Sequence, residues 1–269
     1  MSRRGFLQGA AAVGVGAIAG GGAYGYLYER HHLLLTRAAL PVAGLPEALA
    51  GTRIGFLTDV HRSRWVSEDD VAAAVRLLMN ERPDVIVLGG DYVTWADRQY
   101  MGPAAEALAP LSAPHGVFAI LGNHDDEIRM PAALASHGID VLRNARTSVM
   151  IRNEALELVG ITFWTRRAAD IAPLVRGAKG PVILLAHDPR RLAEAESLRL
   201  PTVLSGHTHG GQVVLPVLGA VAAQKFPVPS GFATRGTTTM FVSRGLGTVY
   251  VPVRLNCPPE VAILTLARA

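Results

Sequence analysis

Short apolar runs that each stop at a carboxylate, an imidazole or a glycine pair recur along this chain. That repetition limits the fold more than any other feature. Residues 53–58 form a β-type run that ends at Asp59. Residues 68–80 then place Val71, Val75, Leu78 and Met79 on one helical face. Ser67 and Asp70 have the spacing of a capping box before that helix, and Pro83 stops it. Residues 84–88 are a continuous apolar run with Gly89-Gly90-Asp91 directly after it. The sum is a β-α-β unit with a carboxylate at the carboxyl end of each strand.

The pattern continues. Residues 116–121 deliver Gly122-Asn123-His124-Asp125, residues 181–186 deliver His187, and residues 202–205 deliver Gly206-His207. Further strands are expected at 156–162, 239–243 and 260–266, and helices at 103–111, 131–137, 168–175 and 189–198. The expectation is a layered α/β domain over residues 51–269 whose site lies along the carboxyl edge of its strands.

Outside that domain the chain divides in two. Residues 1–28 read as a targeting segment: Arg3-Arg4-Gly5-Phe6-Leu7 matches the twin-arginine export pattern, and an uncharged Gly/Ala-rich stretch follows. This implies the twin-arginine export machinery as a partner and a periplasmic or extracytoplasmic location. Ala17-Ile18-Ala19 is a candidate cleavage site. Uncleaved, the segment is a membrane anchor with its arginines on the cytoplasmic side, long enough to cross about 30 Å of hydrocarbon. Residues 29–50 read as a linker, because Pro41, Gly44 and Pro46 interrupt any long helix.

Composition removes several classes of function. Of 269 residues 49% are hydrophobic and 18% charged, which is globular rather than disordered. The net charge of +4 comes almost wholly from arginine, with Lys179 and Lys225 the only lysines. No basic block with interleaved aromatics occurs, so nucleic-acid binding is not expected. The single cysteine, Cys257, excludes a disulfide framework and a cysteine-rich zinc site, and reads as a small buried hydrophobe.

The polar motifs carry the chemistry. Five of the nine histidines lie in them. Asp59 and His61 are two apart beyond a strand, where extended backbone sends both side chains the same way. One metal can take both, although a turn with a surface histidine would read the same. Asp91 has two carboxylate oxygens and can bridge two metals. Asn123 offers a neutral oxygen suited to hard cations. His124 beside it can reach the substrate, and Asp125 can orient that imidazole. A plain Asn-His turn is the bland alternative there, as a satisfied core histidine is for His187. His207-Thr208-His209, flanked by glycines, is the strongest single signal. Two buried imidazoles in one loop need partners for four ring nitrogens, which is costly without a ligand. Arg62, beside the proposed centre, can bind a substrate phosphate bidentately or be a solvated loop arginine.

In order, Asp59-Val60-His61, Gly90-Asp91, Gly122-Asn123-His124-Asp125, His187 and Gly206-His207-Thr208-His209 resemble the motif series of the calcineurin-like metallophosphoesterase superfamily. The resemblance is nearest to its twin-arginine-exported or membrane-anchored branch, through the extended Gly206–Gln212 motif and Pro259-Glu260. It implies an α/β/β/α sandwich. It also implies a first metal on Asp59, His61 and His209, a second on Asn123, His187 and His207, and Asp91 bridging them. His124 would then be the general acid or transition-state stabiliser, with Asp125 behind it. The implied activity is hydrolysis of phosphate esters by a hydroxide activated between two divalent ions, with manganese, iron, zinc and cobalt all compatible with the donors.

Two other readings follow. One is a pyrophosphatase acting on a nucleotide-linked lipid such as UDP-2,3-diacylglucosamine, with the apolar stretch 213–221 and Phe226-Pro227-Val228-Pro229 as a lipid-facing lip. The other is a non-enzymatic, metal-stabilised binding domain, which the intact His124 argues against.

Overall fold

The computed structural model describes residues 2–269, with the side chains of Phe6, Ala10, Ala11, Val13 and Ala17 outside the description, so the arginine motif and the candidate cleavage site are described only in part. Two six-stranded sheets face each other. In the first, β2 (Arg53–Leu57), β3 (Val85–Leu88), β4 (Val117–Ala119) and β5 (Asp140–Val141) run parallel. On the other side of β2 lies the antiparallel β12 (Glu260–Arg268). In the second sheet, β7 (Glu154–Gly160), β8 (Val182–Leu185), β9 (Thr202–Ser205) and β11 (Thr238–Val242) are parallel. They are flanked by the antiparallel edge strands β6 (Ala145–Ile151) and β10 (Gly231–Arg235).

Strand periodicity sorts the apolar residues into layers. Phe56 and Val87 meet Leu158, Leu204 and Phe241 between the sheets. Leu57, Ile86 and Leu88 point the opposite way. They pack under α2 (Glu68–Asn80), α3 (Arg98–Leu108) and α4 (Arg129–Ala135), against Leu78, Leu108 and Leu134. On the far face Val159, Leu184 and Met240 pack under α5 (Ala168–Val175) and α6 (Leu192–Ser197), against Ile171 and Leu192. The result is the expected α/β/β/α sandwich. Each such side chain contributes roughly 1.5–3 kcal/mol by leaving water.

Helix α2 has the expected limits, and its capping box is formed in full: Ser67 accepts from the Asp70 N–H, and Asp70 from the Ser67 N–H. Helix α3 starts five residues before the expected Pro103, because the Asp97 side chain accepts from Gln99 N and caps it. The segment expected as a linker is not one. Residues 34–42 form β1 (Leu34–Val42), paired with β12 in parallel from Leu34↔Glu260 to Val42↔Arg268. Pro41, which argued for a break, sits in this edge strand, where a missing N–H is tolerated. The N-terminal segment is α1 (Arg3–Leu27). Among the described residues no helix is long and apolar enough to cross a membrane.

Candidate metal centre

The carboxyl ends of β2, β3, β4, β8 and β9 converge, and each delivers its motif one to six residues beyond the strand. The two sheets are joined there. The His207 N–H donates to both oxygens of Asp59 at 3.0 Å, and His187 Nδ1 meets the Gly89 carbonyl at 2.7 Å.

Two buried triads result, Asp59–His61–His209 and Asp91–His187–His207, each with donor atoms within 4.8 Å of one another. They share a boundary. Asp91 Oδ2 lies 3.1 Å from His187 Nε2 and 3.5 Å from His61 Nε2, so this carboxylate reaches ligands of both sets. Asp59 Oδ1 lies 3.4 Å from His209 Nε2 and 3.8 Å from His187 Nε2.

The donors fit cations. His61 Nε2 and His209 Nε2 face each other at 3.2 Å, so two imidazole nitrogens lie within reach of one cation. Asn123 Oδ1, His187 Nε2 and His209 Nδ1 are buried without a hydrogen-bond partner, the Asp91 approach to His187 being off the N–H line. Stranded polar atoms are expensive, and a cation held by Asn123 Oδ1 and His187 Nε2 satisfies both. His187 Nδ1 donates to the Gly89 carbonyl at 2.7 Å, and His61 Nδ1 meets Thr94 Oγ1 at 3.0 Å. Each contact fixes a ring and leaves Nε2 for a metal. The charges agree. Burial opposes protonation of His187, yet Asp91 and Asp59 raise it to about 10. Burial and the neighbouring His187 lower His207 to about 3.

Holding these groups strains the backbone. Asp59, His61, Asp91, His207 and His209 all have positive φ, between 47° and 71°. The motif glycines make room. A Cβ on Gly122 would strike the Asp91 carboxylate, one on Gly206 the Asp59 carboxylate, and one on Gly245 would lie 2.5 Å from Asp59 Cβ.

Two expected roles change. Asp125 does not contact the His124 ring. Its Oδ2 accepts from Asp91 N and Gly122 N at 2.8 and 2.9 Å, and its Oδ1 from Tyr92 N at 2.8 Å. It braces the backbone that aims Asp91. The His124 partner is the Trp95 N–H, 3.1 Å from Nδ1, so the neutral ring keeps its proton on Nε2. Burial holds this imidazole neutral, with its pKa lowered to about 4. Arg62 is a loop brace: Nη1 donates to the carbonyls of Ser63 and Val66, both at 2.7 Å, and the guanidinium lies 5.2 Å over Tyr100.

Other residues at the site, Phe226 of the expected lip apart, escaped the sequence reading. Phe163 and Phe226 each lie 5.3 Å from the His207 ring, and Arg166 stacks 5.8 Å over Phe163. Arg254 is fully buried and donates to the carbonyls of Arg244, Gly245, Gly247 and Cys257. It thereby clamps the loop that presses on Asp59 and His61. Only distant contacts give these residues a task, so nothing local in the sequence marks them.

The calcineurin-like phosphoesterase profile matches residues 52–211, more than half of the chain. The chain belongs to that family. Its similarity extends end to end to "Phosphodiesterase YaeI" of Escherichia coli (strain K12), 34% identical over 99% of both chains. It also extends to "Uncharacterized metallophosphoesterase YkuE" of Bacillus subtilis (strain 168), 29% identical over 99% of this chain and 98% of that one. "Transmembrane protein with metallophosphoesterase domain" of Danio rerio is 31% identical over 86% of this chain and 56% of its own length. As a calcineurin-like phosphoesterase the chain is a hydrolase of phosphate esters, and its two triads form a candidate dinuclear site for divalent metals.

Proposed function

We propose that this phosphoesterase cleaves phosphodiesters outside the cytoplasm, with two divalent cations held by Asp59, His61 and His209 on one side and Asn123, His187 and His207 on the other, bridged by Asp91. The observation that carries the reading is the pair of triads meeting at Asp91, with Asn123 Oδ1 stranded beside them. When bound, such a cation pair lowers the pKa of water toward neutrality and draws charge from the phosphoryl oxygens. Asp59 and Asp91 supply the negative charge that holds the cations. Thr58, Thr94 and the Gly89 carbonyl orient the ligands. His124, neutral and protonated on Nε2, donates a hydrogen bond to an oxygen on which charge develops. The phosphodiesterase preference draws on the full-length similarity to the Escherichia coli relative. Export draws on the paired arginines and the carboxylate-free segment before Glu29.

Hydrolysis of bis-p-nitrophenyl phosphate by metal-stripped protein, restored in turn with manganese, iron, zinc or cobalt, tests the reaction. Absence of activity with all four would sink it. A monoester and a nucleotide-linked lipid pyrophosphate run alongside decide the substrate class. Retention of Arg3→Lys/Arg4→Lys protein in the cytoplasm is the result expected for export, and unchanged fractionation would overturn that part.

A further inference from the structure

The wall of the metal centre beyond His207 and His209 is unlike the rest of the surface. Two loops form it. One is a hairpin closed by reciprocal hydrogen bonds between Leu215 and Gly219, with Pro216, Val217 and Leu218 at its tip. The other is the segment 249–251. The Gln212 carboxamide ties them together, accepting from Val249 N at 2.8 Å and donating to the Val251 carbonyl at 2.7 Å. Between them is a cavity of about 450 Å³ that reaches His207 and His209 and is lined mainly by Val213, Leu215, Val221, Phe226 and Val251.

The rim of this cavity points apolar side chains into water. Val217 is 104% exposed, Tyr250 79% and Leu218 62%, and Val221 and Val251 are half exposed. Val217 and Tyr250 also carry left-handed backbone, φ 70° and 63°. For a β-branched valine that conformation is costly, and no buried contact compensates it. Isolated exposed hydrophobes are ordinary, but a contiguous group on one rim marks a contact surface.

The charge pattern selects the partner. From Gly210 to Pro259 the chain has no aspartate or glutamate, while Lys225 lines the cavity. A surface without carboxylates suits an anionic bilayer, which attracts nearby lysine and arginine. The rim is also continuous with the foot of α1. Leu255 pairs through its backbone with Gln212 and Val214 of the hairpin arm. The same strip packs on α1: Arg254 N donates to Gly25 O at 3.3 Å, and a Cβ on Gly25 would lie 2.7 Å from Val253 Cγ1. Leu27 and Tyr28 are exposed beside it. The apolar N-terminal helix and the apolar rim therefore spring from one structural unit.

We propose that this rim docks on the surface of an anionic lipid bilayer, with Val217, Leu218, Val221, Tyr250 and Val251 entering the acyl region and the metal centre opening at the level of the headgroup phosphates. The docking is read separately from the phosphoesterase reaction, on which it rests only for what the docked centre does.

The test uses the full chain with Val217→Cys carrying a nitrobenzoxadiazole dye. Cys257 is only 2% exposed and does not compete for the label. Vesicles of phosphatidylglycerol and phosphatidylcholine should shift the emission to the blue, while the same dye at Met150→Cys, exposed on β6, stays unchanged. Adding Leu218→Asp to the labelled chain should abolish the shift while bis-p-nitrophenyl phosphate hydrolysis is kept. Sedimentation of the protein with vesicles without a shift at position 217 would mean that α1 alone binds lipid, and would overturn the proposal. So would an equal shift at position 150. A shift that needs no vesicles and tracks dimer formation in sedimentation velocity would give the rim to a second copy instead. Loss of hydrolysis with the lipid-induced shift intact would count against the phosphoesterase reading and leave the docking standing.

Discussion

Left-handed backbone at non-glycine residues occurs in turns such as those at Arg82, Asn153 and Arg199, and also in two neighbouring places, the metal centre and the rim beside it. In the centre the strained residues are Asp59, His61, Asp91, His207 and His209. Their surroundings compensate them: Asp59 accepts from Thr58 and His207, and the Asp91 backbone is held by Asp125. On the rim the strained residues are Val217 and Tyr250, and water is their neighbour. The difference shows what strain is for. In the centre the fold forces polar groups together so that cations can relieve them. On the rim the fold holds apolar groups apart from every core, and relief has to come from outside the chain.

Breaking the centre should have the largest consequences. Asp91→Asn removes the charge shared by both triads, and turnover of bis-p-nitrophenyl phosphate should fall by on the order of 10³-fold, with bound metal falling in parallel. Retained turnover would remove Asp91 from the bridge. Gly245→Ala pushes a methyl against Asp59 Cβ and its carboxylate while every donor residue is kept. Metal affinity, read by titration of the stripped protein, should weaken by roughly 10–100-fold, as when a ligand loses its support. Arg254→Met leaves four carbonyl groups without their donor. Unfolding in urea should show a loss of about 3 kcal/mol, and an unchanged midpoint would refute the clamp.

Rim changes should run the other way. Val217→Gly relieves the left-handed valine and should stabilise the fold by about 1 kcal/mol, with hydrolysis of a soluble ester unaltered. Destabilisation would mean that the tip packs on something. The capping box supplies a reference far from both regions. Ser67→Ala should cost about 1 kcal/mol. At Asp70 burial acts against ionisation, but the Ser67 N–H and His31 hold the carboxyl below its usual range. That stabilisation is present above the unfolded pKa and lost as pH falls through the folded one. The deficit of Asp70→Asn should therefore shrink on acidification.

Much of the centre could be read from sequence because strand ends deliver side chains locally. Asp59 and His61, or His207 and His209, are placed by one strand and one turn, so their spacing carries the information. Asp125 was misassigned for the opposite reason. Adjacency to His124 pointed at the imidazole, while the carboxylate turns to backbone N–H groups of residues 91 and 92, more than thirty residues earlier. Arg62 looked like a phosphate ligand by position, and the packed loop shows its Nη1 engaged by the Ser63 and Val66 carbonyls, with Nε left without a partner. Strand β1 was hidden because Pro41 and Gly44 speak for a break, and its partner β12 lies at the other end of the chain.

The sequence by itself determined the strands and helices that carry the site, the five polar motifs and the chemistry of their donors. These follow from local periodicity and from side-chain type. The tertiary structure decided which donors lie close to one another, which polar neighbours only brace the backbone, and that Arg254 clamps the loop against Asp59. It also decided that two loops about thirty residues apart raise an apolar rim over the centre. Those facts depend on contacts between segments distant in the chain, and no local pattern encodes such contacts.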